Sequence, residues 1–256
     1  FLDKIKFVVI GKDSSIQNDY SNEITEFCET NAIKWYSRQE FIEKKLGCNY
    51  LIAIGWRWLV NIDQYNLITI HDSLLPKYRG FNPLVTALIE GDKIIGVTAI
   101  LANEEMDAGD IIIQDSIKIE YPIKIKEAIN KVAHLYGKII VDIVQSDALN
   151  LKPQNHSSAT YSIWRNEDDY QIDWSWDSLR IKRFIDAVGY PYLGALTTYD
   201  GRKIRVLQAE PQSDLNIVNR KPGKLFNIER NKPRVICGSG MIQINNAVYN
   251  SDGKEV

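Results

Sequence analysis

Residue types that build metal and redox sites are scarce in this chain. Among its 256 residues are three cysteines and three histidines, and Cys28, Cys48 and Cys237 lie far apart. Because no Cys-x-x-Cys pair occurs, the sequence predicts neither a structural zinc site nor a disulfide framework. We therefore expect reduced thiols, no resident metal ion and a cytoplasmic location.

Long apolar runs and nucleotide-loop glycines are absent as well. No stretch approaches the roughly 20 apolar residues of a membrane helix. The chain passes from Lys4 directly into a strand-like run at 5–10, whereas a secretory signal needs a basic start and small cleavage residues. No dinucleotide or P-loop glycine pattern follows that run. With 45% hydrophobic and 25% charged residues, the composition is typical of a soluble globular protein without a membrane partner.

Apolar runs alternate with helical periodicity in the first half of the chain. The patterns predict strands at 5–10, 32–36, 50–54, 66–70 and 95–101, and helices at 16–31, 41–45 and 83–90. This alternation favours an α/β fold, a Rossmann-like parallel sheet with helices on both faces. Such sheets bind their ligands outside the carboxyl ends of the strands.

The second half changes character after the polar segment 152–158, the best candidate for a linker. A strand at 111–119 and a long helix at 122–149 precede this segment, and a helix ending at Val188 follows it. About five short strands come next, with a tight-turn pair at Asp200-Gly201. We predict an N-terminal catalytic domain at 1–150 and, at 151–256, a helix with a β-rich module resembling an open barrel.

One polar loop carries residues suited to catalysis. His71 follows an apolar run, so it lies at a predicted strand end, and Ser73-Leu-Leu-Pro76 and Arg79-Gly80 come directly after it. Asp107 stands 36 residues beyond His71, behind a second strand-like run. Two strand ends could therefore present an imidazole and a carboxylate to one crevice.

This pattern resembles the folate-dependent formyltransferase family. That family carries Asn-x-His, then Ser-Leu-Leu-Pro-x-x-Arg-Gly, then an Asp about 36 residues after the His. The elements stand in place here, except that Thr69 occupies the position of the family Asn. A C-terminal β-rich module is also common in the family, so the resemblance extends over most of the chain.

The resemblance implies an N-formyltransferase that uses N10-formyltetrahydrofolate as co-substrate and needs no metal. Its catalytic residues would be His71 for proton transfer, Asp107 to orient the ring, and Thr69 in place of the amide that stabilises the oxyanion. Thr69 could donate directly or through water, could slow the enzyme, or could mark a weakly active member. A β-branched residue also simply suits a strand.

The loop and two later segments supply the predicted binding residues. The folate-side set is Ser73, Leu74, Leu75, Pro76 and Gly109. The set expected to bind the amine substrate is Lys77, Tyr78, Arg79, Trp164 and Arg165. Lys77 and Arg79 fit a solvated loop equally well, and the aromatic segments also fit packing between domains.

The amine acceptor remains open among methionyl-tRNA, glycinamide ribonucleotide and nucleotide-linked amino sugars. Residues 151–256 hold 15 basic and 12 acidic side chains, a net of +3 that is weak for an RNA-binding surface, even with the basic run 220–234. The phrases at 79–83 and 161–165, with Ile-Asp-Trp at 172–174, look most like the amino-sugar branch, which serves surface polysaccharides such as O-antigen and lipopolysaccharide. We predict that branch, a dTDP-linked substrate and a possible homodimer. The alternatives are a methionyl-tRNA formyltransferase and a protein that binds folate or a nucleotide sugar but is catalytically impaired because of Thr69.

Overall fold

A computed structural model describes residues 2–42, 47–60, 65–229 and 232–254. The strands are β1 (Val8–Ile10), β2 (Trp35–Ser37), β3 (Tyr50–Ile54), β4 (Asn66–His71), β5 (Arg79–Gly80), β6 (Ile94–Leu101), β7 (Asp110–Lys118), β8 (Tyr161–Ser162), β9 (Ala195–Tyr199), β10 (Arg202–Gln212), β11 (Leu225–Glu229), β12 (Lys232–Ile236) and β13 (Met241–Tyr249). The α-helices are α1 (Ser21–Thr30), α2 (Arg38–Ile42), α3 (Pro83–Glu90), α4 (Ile125–Gln145) and α5 (Ser178–Ala187). Short 3-10 turns lie at Leu2–Lys4, His156–Ser158 and Glu167–Tyr170.

The first half of the chain has the predicted α/β architecture. Strands β1 and β2 pair in parallel, and so do β3 and β4, while α4 packs on β6 and β7. The larger sheet has the order β3-β4-β6-β7, and within it β6 runs antiparallel to both of its neighbours. The α/β class is confirmed, and the sheet is mixed rather than wholly parallel. An apolar run such as 94–101 fits a buried strand of either direction, so the pattern could not encode this difference.

Helix α1 begins five residues later than its apolar spacing predicts. The Asp19 side chain accepts hydrogen bonds from the main-chain N–H groups of Asp13 and Ser21, and Asn18 caps the N–H of Tyr20. Tyr20 itself has φ 58°, in the left-handed region. Short polar side chains that bind nearby main chain compete with the helix, which explains the late start. The second predicted helix begins earlier, at Arg38, and its residues 43–45 lie outside the described residues.

The C-terminal half forms the predicted β-rich module. Five antiparallel strands take the order β11-β12-β13-β10-β9. Asp200 and Gly201 have φ 47° and 72°, as a tight hairpin turn requires, and they join β9 to β10. Asp177 caps α5 by accepting from the N–H groups of Leu179 and Arg180.

One buried apolar cluster runs through both halves of the molecule. It includes Ile68 and Val97 of the first sheet, Ile125 of α4, Ile185 of α5 and Ile242 of β13. Because this core is continuous, the division at residue 150 stays a prediction. Within the described residues, none of the helices has the length and apolar character needed to span a bilayer.

Candidate active site

His71 is the last residue of β4, and its ring is buried with 7% of its surface exposed. Its Nε2 lies 2.7 Å from the main-chain oxygen of Tyr78. A carbonyl oxygen only accepts hydrogen bonds, so Nε2 carries a hydrogen and donates it. The other nitrogen, Nδ1, faces the Asp107 carboxylate at 3.6 Å. In the neutral ring Nδ1 therefore holds the lone pair that can take a proton.

Asp107 reaches His71 from a loop rather than from a strand end. Because β6 is antiparallel to β4, its last residue pairs with Ile68, three positions before His71. The eight residues between β6 and β7 fold back and carry Asp107 to the imidazole. The expected pairing of imidazole and carboxylate is observed, but two strand ends do not produce it.

Two glycines allow this loop to lie close to its neighbours. A side chain at Gly109 would collide with the carbonyl group of Leu101, and one at Gly80 would collide with that of Ser162. The N–H of Gly80 donates to Asp107 Oδ2 at 2.8 Å. The carboxylate is thus held by a main-chain donor while it faces the imidazole.

The Ser-Leu-Leu-Pro segment is braced mainly by internal hydrogen bonds. Ser73 donates its hydroxyl to the carbonyl of Lys77, and Thr98 binds both the carbonyl of Ser73 and the N–H of Leu75. Ser73 and Leu75 are buried, whereas Leu74 and Pro76 are half-buried. Of the predicted folate-side set, Leu74 and Pro76 keep exposed surface, and Ser73 and Leu75 shape the loop.

Arg79 is buried and forms hydrogen bonds inside the site. The residue is 3% exposed, and its guanidinium donates twice to the side-chain oxygen of Gln154, at 2.7 and 3.2 Å. Its Nη2 also lies 3.2 Å from His156 Nδ1. Gln154 in turn donates to the carbonyl oxygens of Asp107 and Gly109. In this geometry Arg79 holds the loop that carries Asp107. Its guanidinium does not face an anion in solvent, whereas the sequence position suggested that it could.

Lys77 and Tyr78 lie beside a cavity of about 330 Å³. Lys77 Nζ binds Asp92 Oδ2 at 2.6 Å and lies 4.5 Å from the Tyr78 ring centre. The cavity is also lined by Asp72 and Leu74. Lys77 is therefore engaged with a carboxylate, and a ligand anion would have to compete with Asp92.

Trp164 and Arg165 come shortly after β8, the strand that pairs with β5. The Trp164 ring meets Phe81 edge to face at 5.1 Å, and the Arg57 guanidinium lies 4.3 Å from its centre. Arg165 is half-buried, and burial lowers the pKa of its guanidinium, whereas Asp169 acts in the opposite direction. Trp164 is linked to the His71–Asp107 pair through Phe81, which follows the glycine whose N–H binds Asp107.

Thr69 stands two residues before His71, and alternate residues of a strand share one face. Its side chain is half-buried. Within the part of the chain that the structure describes, its hydroxyl makes no hydrogen bond. A free hydroxyl on the strand face of His71 is compatible with the predicted role of Thr69 as an oxyanion donor.

Asp72, Thr98 and Gln154 are site residues that the sequence did not single out. Burial raises the pKa of Asp72 to about 6, and the adjacent His71 opposes that rise. Burial likewise raises the pKa of Tyr192, with a further contribution from the Asp72 charge. Thr98 is hidden within an apolar strand and Gln154 within a polar linker, so only their hydrogen bonds reveal them. No group of three metal-type side chains occurs within the described ranges.

Two family models match this chain, one in each half. Residues 50–144 match the family model Formyl transferase, and residues 165–255 match Formyl transferase, C-terminal domain. The methionyl-tRNA formyltransferase of Ehrlichia canis (strain Jake) is 32% identical over 222 residues, which cover 84% of this chain and 71% of that protein. The methionyl-tRNA formyltransferase of Alkaliphilus oremlandii (strain OhILAs) is 28% identical over 190 residues, which cover 73% of this chain. The aligned part makes up 60% of that relative's length.

A solved structure shares the fold along nearly the whole chain. The N-formyltransferase of Helicobacter canadensis, in complex with folinic acid and dTDP-3-aminofucose, superposes with a TM-score of 0.66 at 16% identity. The match covers 94% of this chain and 98% of that one. With both family models in sequence order and His71 and Asp107 brought together, the chain belongs to the folate-dependent formyltransferase family.

Proposed function

We propose that this chain transfers a formyl group from N10-formyltetrahydrofolate to the amine of a nucleotide-linked amino sugar. The observation that carries the reaction type is the position of His71 Nδ1, 3.6 Å from Asp107 Oδ2 with Nε2 already engaged. An imidazole fixed in one tautomer beside a carboxylate suits proton transfer during acyl transfer.

His71 takes the proton in this scheme. The amine attacks the formyl carbon, a new C–N bond forms, and His71 Nδ1 accepts the proton that the amine loses. The resulting imidazolium is stabilised by Asp107, whose Oδ2 keeps its bond to the Gly80 N–H. As the bond from the formyl carbon to N10 breaks, His71 returns the proton to N10. Atoms and charge then balance without any further reactant.

Thr69 is the proposed donor to the tetrahedral oxyanion. It lies on the same strand face as His71, and its hydroxyl is free within the described residues. A hydroxyl supplies one hydrogen where the family amide supplies two. On the folate side, Leu74 and Pro76 keep the surface that a flat pterin could cover.

Two observations support an amino sugar as the acceptor. The dTDP-3-aminofucose complex described above matches over nearly the full length of both chains. In the basic run 220–234, the guanidinium of the first residue, Arg220, is bound by acceptors of this chain. Arg220 donates to Asp214 and to the carbonyl oxygens of Leu215, Cys237 and Gly240. A tRNA-binding surface needs arginines that face outward.

Methionyl-tRNA is the second candidate, because the relative with 32% identity carries that name. A transfer assay decides between them: N10-formyltetrahydrofolate is supplied with dTDP- and UDP-linked 3- and 4-amino sugars, and separately with methionyl-tRNA. We expect formylation of an amino sugar that is abolished by His71→Asn. Formylation of methionyl-tRNA alone would overturn the acceptor. Binding of folate and nucleotide sugar without transfer would overturn the reaction and favour an impaired binder.

A further inference from the structure

Three buried N–H donors that lack a hydrogen-bond partner among the described residues lie together, apart from His71 and Asp107. They are Nε of Arg38, Nε1 of Trp56 and Nε of Arg57, and none has a hydrogen-bond partner among the described residues. Buried donors in native proteins are nearly always hydrogen-bonded, so each exception calls for a physical reason. Three exceptions in one place point to an acceptor that arrives from outside the chain.

The three donors surround one aromatic ring, that of Trp58. The Arg38 guanidinium carbon lies 5.0 Å from the ring centre and the Arg57 carbon lies 5.9 Å from it. The Trp56 ring meets Trp58 edge to face at 4.9 Å. Cation–π contacts at these distances hold the guanidinium planes while leaving their edges free to donate. Gly11 leaves room for Trp58, since a side chain there would collide with its ring.

The position of the cluster in the fold is one where ligands bind. Arg38 directly follows β2, Gly11 directly follows β1, and Trp56 comes two residues after β3. β1 and β2 form one parallel pair, and β3 and β4 are paired in parallel in another sheet. The cluster therefore gathers residues that follow the carboxyl ends of strands in both sheets. In α/β folds, ligands bind outside the carboxyl ends of the strands.

The charge of the cluster selects an anion. Arg57 Nη1 is paired with Asp13, whose second oxygen accepts from Ser15. That pairing neutralises one guanidinium and leaves the charge of Arg38. A half-buried positive charge with several N–H donors fits an oxyanion, whose oxygens can accept several charge-assisted hydrogen bonds.

A continuous series of rings connects the cluster to the reaction centre. Arg57 lies against Trp164 at 4.3 Å, Trp164 meets Phe81 at 5.1 Å, and Phe81 follows the glycine whose N–H binds Asp107. A molecule whose amine lies at His71 could therefore extend along this surface and place an anionic group at the cluster around Trp58.

We propose that Arg38, Trp56 and Arg57 form an oxyanion site that takes the diphosphate of the amine acceptor. The assignment of the bound diphosphate to the amine acceptor rests on the proposed function. The oxyanion site itself rests only on the N–H donors and their charge. The carboxylates of the folate tail offer the same chemistry, so the test must separate the two sources.

The test uses the purified chain and inorganic pyrophosphate as the probe, with tryptophan fluorescence as the signal. We expect saturable binding that Arg38→Gln weakens about tenfold or more, because one charge-assisted donor is lost. Trp56→Phe keeps an apolar ring, removes the Nε1 donor, and should weaken binding less. Arg202→Gln is the control, since its guanidinium stacks on Tyr249 in the C-terminal module. Equal affinity in wild type, Arg38→Gln and Trp56→Phe would overturn the site.

A kinetic arm identifies the source of the oxyanion. In the active enzyme, Arg38→Gln should raise KM for the nucleotide sugar and leave KM for N10-formyltetrahydrofolate unchanged. The reverse pattern would overturn the diphosphate assignment. Because the pyrophosphate titration needs no turnover, Arg38-dependent binding in a chain that formylates no amine would retain the site while rejecting the proposed function. Thermal unfolding of Arg38→Gln, compared with Trp56→Phe, shows whether a loss of binding reflects a loss of fold.

Discussion

Gln154 donates its side-chain amide to the main-chain oxygen of Asp107, 2.8 Å away. The same amide reaches the carbonyl of Gly109, and its oxygen accepts two bonds from buried Arg79. A residue from the segment between the two halves of the chain thus fixes the loop that carries Asp107. The position of Asp107 therefore depends on a residue 47 positions away in sequence.

Replacing Gln154 by Ala should lower both stability and turnover. The change leaves the Arg79 guanidinium with fewer partners and frees two carbonyl oxygens, and an unsatisfied buried group costs about 1–3 kcal/mol. Urea unfolding should report a fall of that size in the free energy of unfolding, and kcat should fall because Asp107 is no longer held. Gln39→Ala, at an exposed helical position, is the control and should change stability by about 0.5 kcal/mol or less. An unchanged unfolding free energy in Gln154→Ala would contradict this role.

The contrast between His71 and Gln154 shows what the sequence could reveal. His71 is recognisable in the sequence because an apolar run and a shaped loop flank it, and both are local signals. Gln154 lies in a polar stretch that resembles any solvated linker, and its burial is created by packing against Arg79. Local patterns also predict β3 and α3 at their observed bounds. Strand direction in β6 and the return of the Asp107 loop depend on contacts distant in sequence, which no local pattern contains.

Asp107→Asn should separate the charge of this residue from its structural bond. The Asn side-chain oxygen can still accept from the Gly80 N–H, so the loop should keep its place. The negative charge beside His71 Nδ1 is lost, and we expect kcat to fall by about 10²–10⁴, the usual contribution of acid–base catalysis. Steady-state formyl-transfer kinetics measures the fall, and urea unfolding checks that the fold is retained. Unchanged kcat in a folded variant would exclude Asp107 from proton transfer.

Asp72 should make the stability of the protein depend on pH. Its pKa is about 6 in the folded state against an ordinary value of 3.8, because burial disfavours the charged carboxylate. The folded state therefore binds this proton more tightly, so the contribution of Asp72 is most favourable below about pH 4 and is lost as the pH rises to about 6. The full change corresponds to about 3 kcal/mol at most.

Urea unfolding of wild type and Asp72→Asn at about pH 4 and pH 7 measures this effect. Asp72→Asn should gain stability relative to wild type on going from pH 4 to pH 7, by up to about 3 kcal/mol. Asp168→Asn, at an exposed position, should keep a constant difference from wild type over the same interval. A difference between wild type and Asp72→Asn that does not change with pH would show that the carboxylate is solvated in the folded state.

Thr69→Asn should keep or raise the rate of formyl transfer. The position lies on the strand face of His71, and its hydroxyl is free within the described residues. An Asn amide reaches further and offers two hydrogens, and one oxyanion donor is typically worth about 10²–10³ in turnover. The measurement is kcat with the preferred amine, and Thr69→Val, which removes the hydroxyl at nearly constant shape, is the matched comparison. We expect Thr69→Val to be the slowest of the three proteins. If Thr69→Val turns over as fast as wild type while Thr69→Asn loses activity, Thr69 does not act on the oxyanion, and the donor must be sought elsewhere around His71.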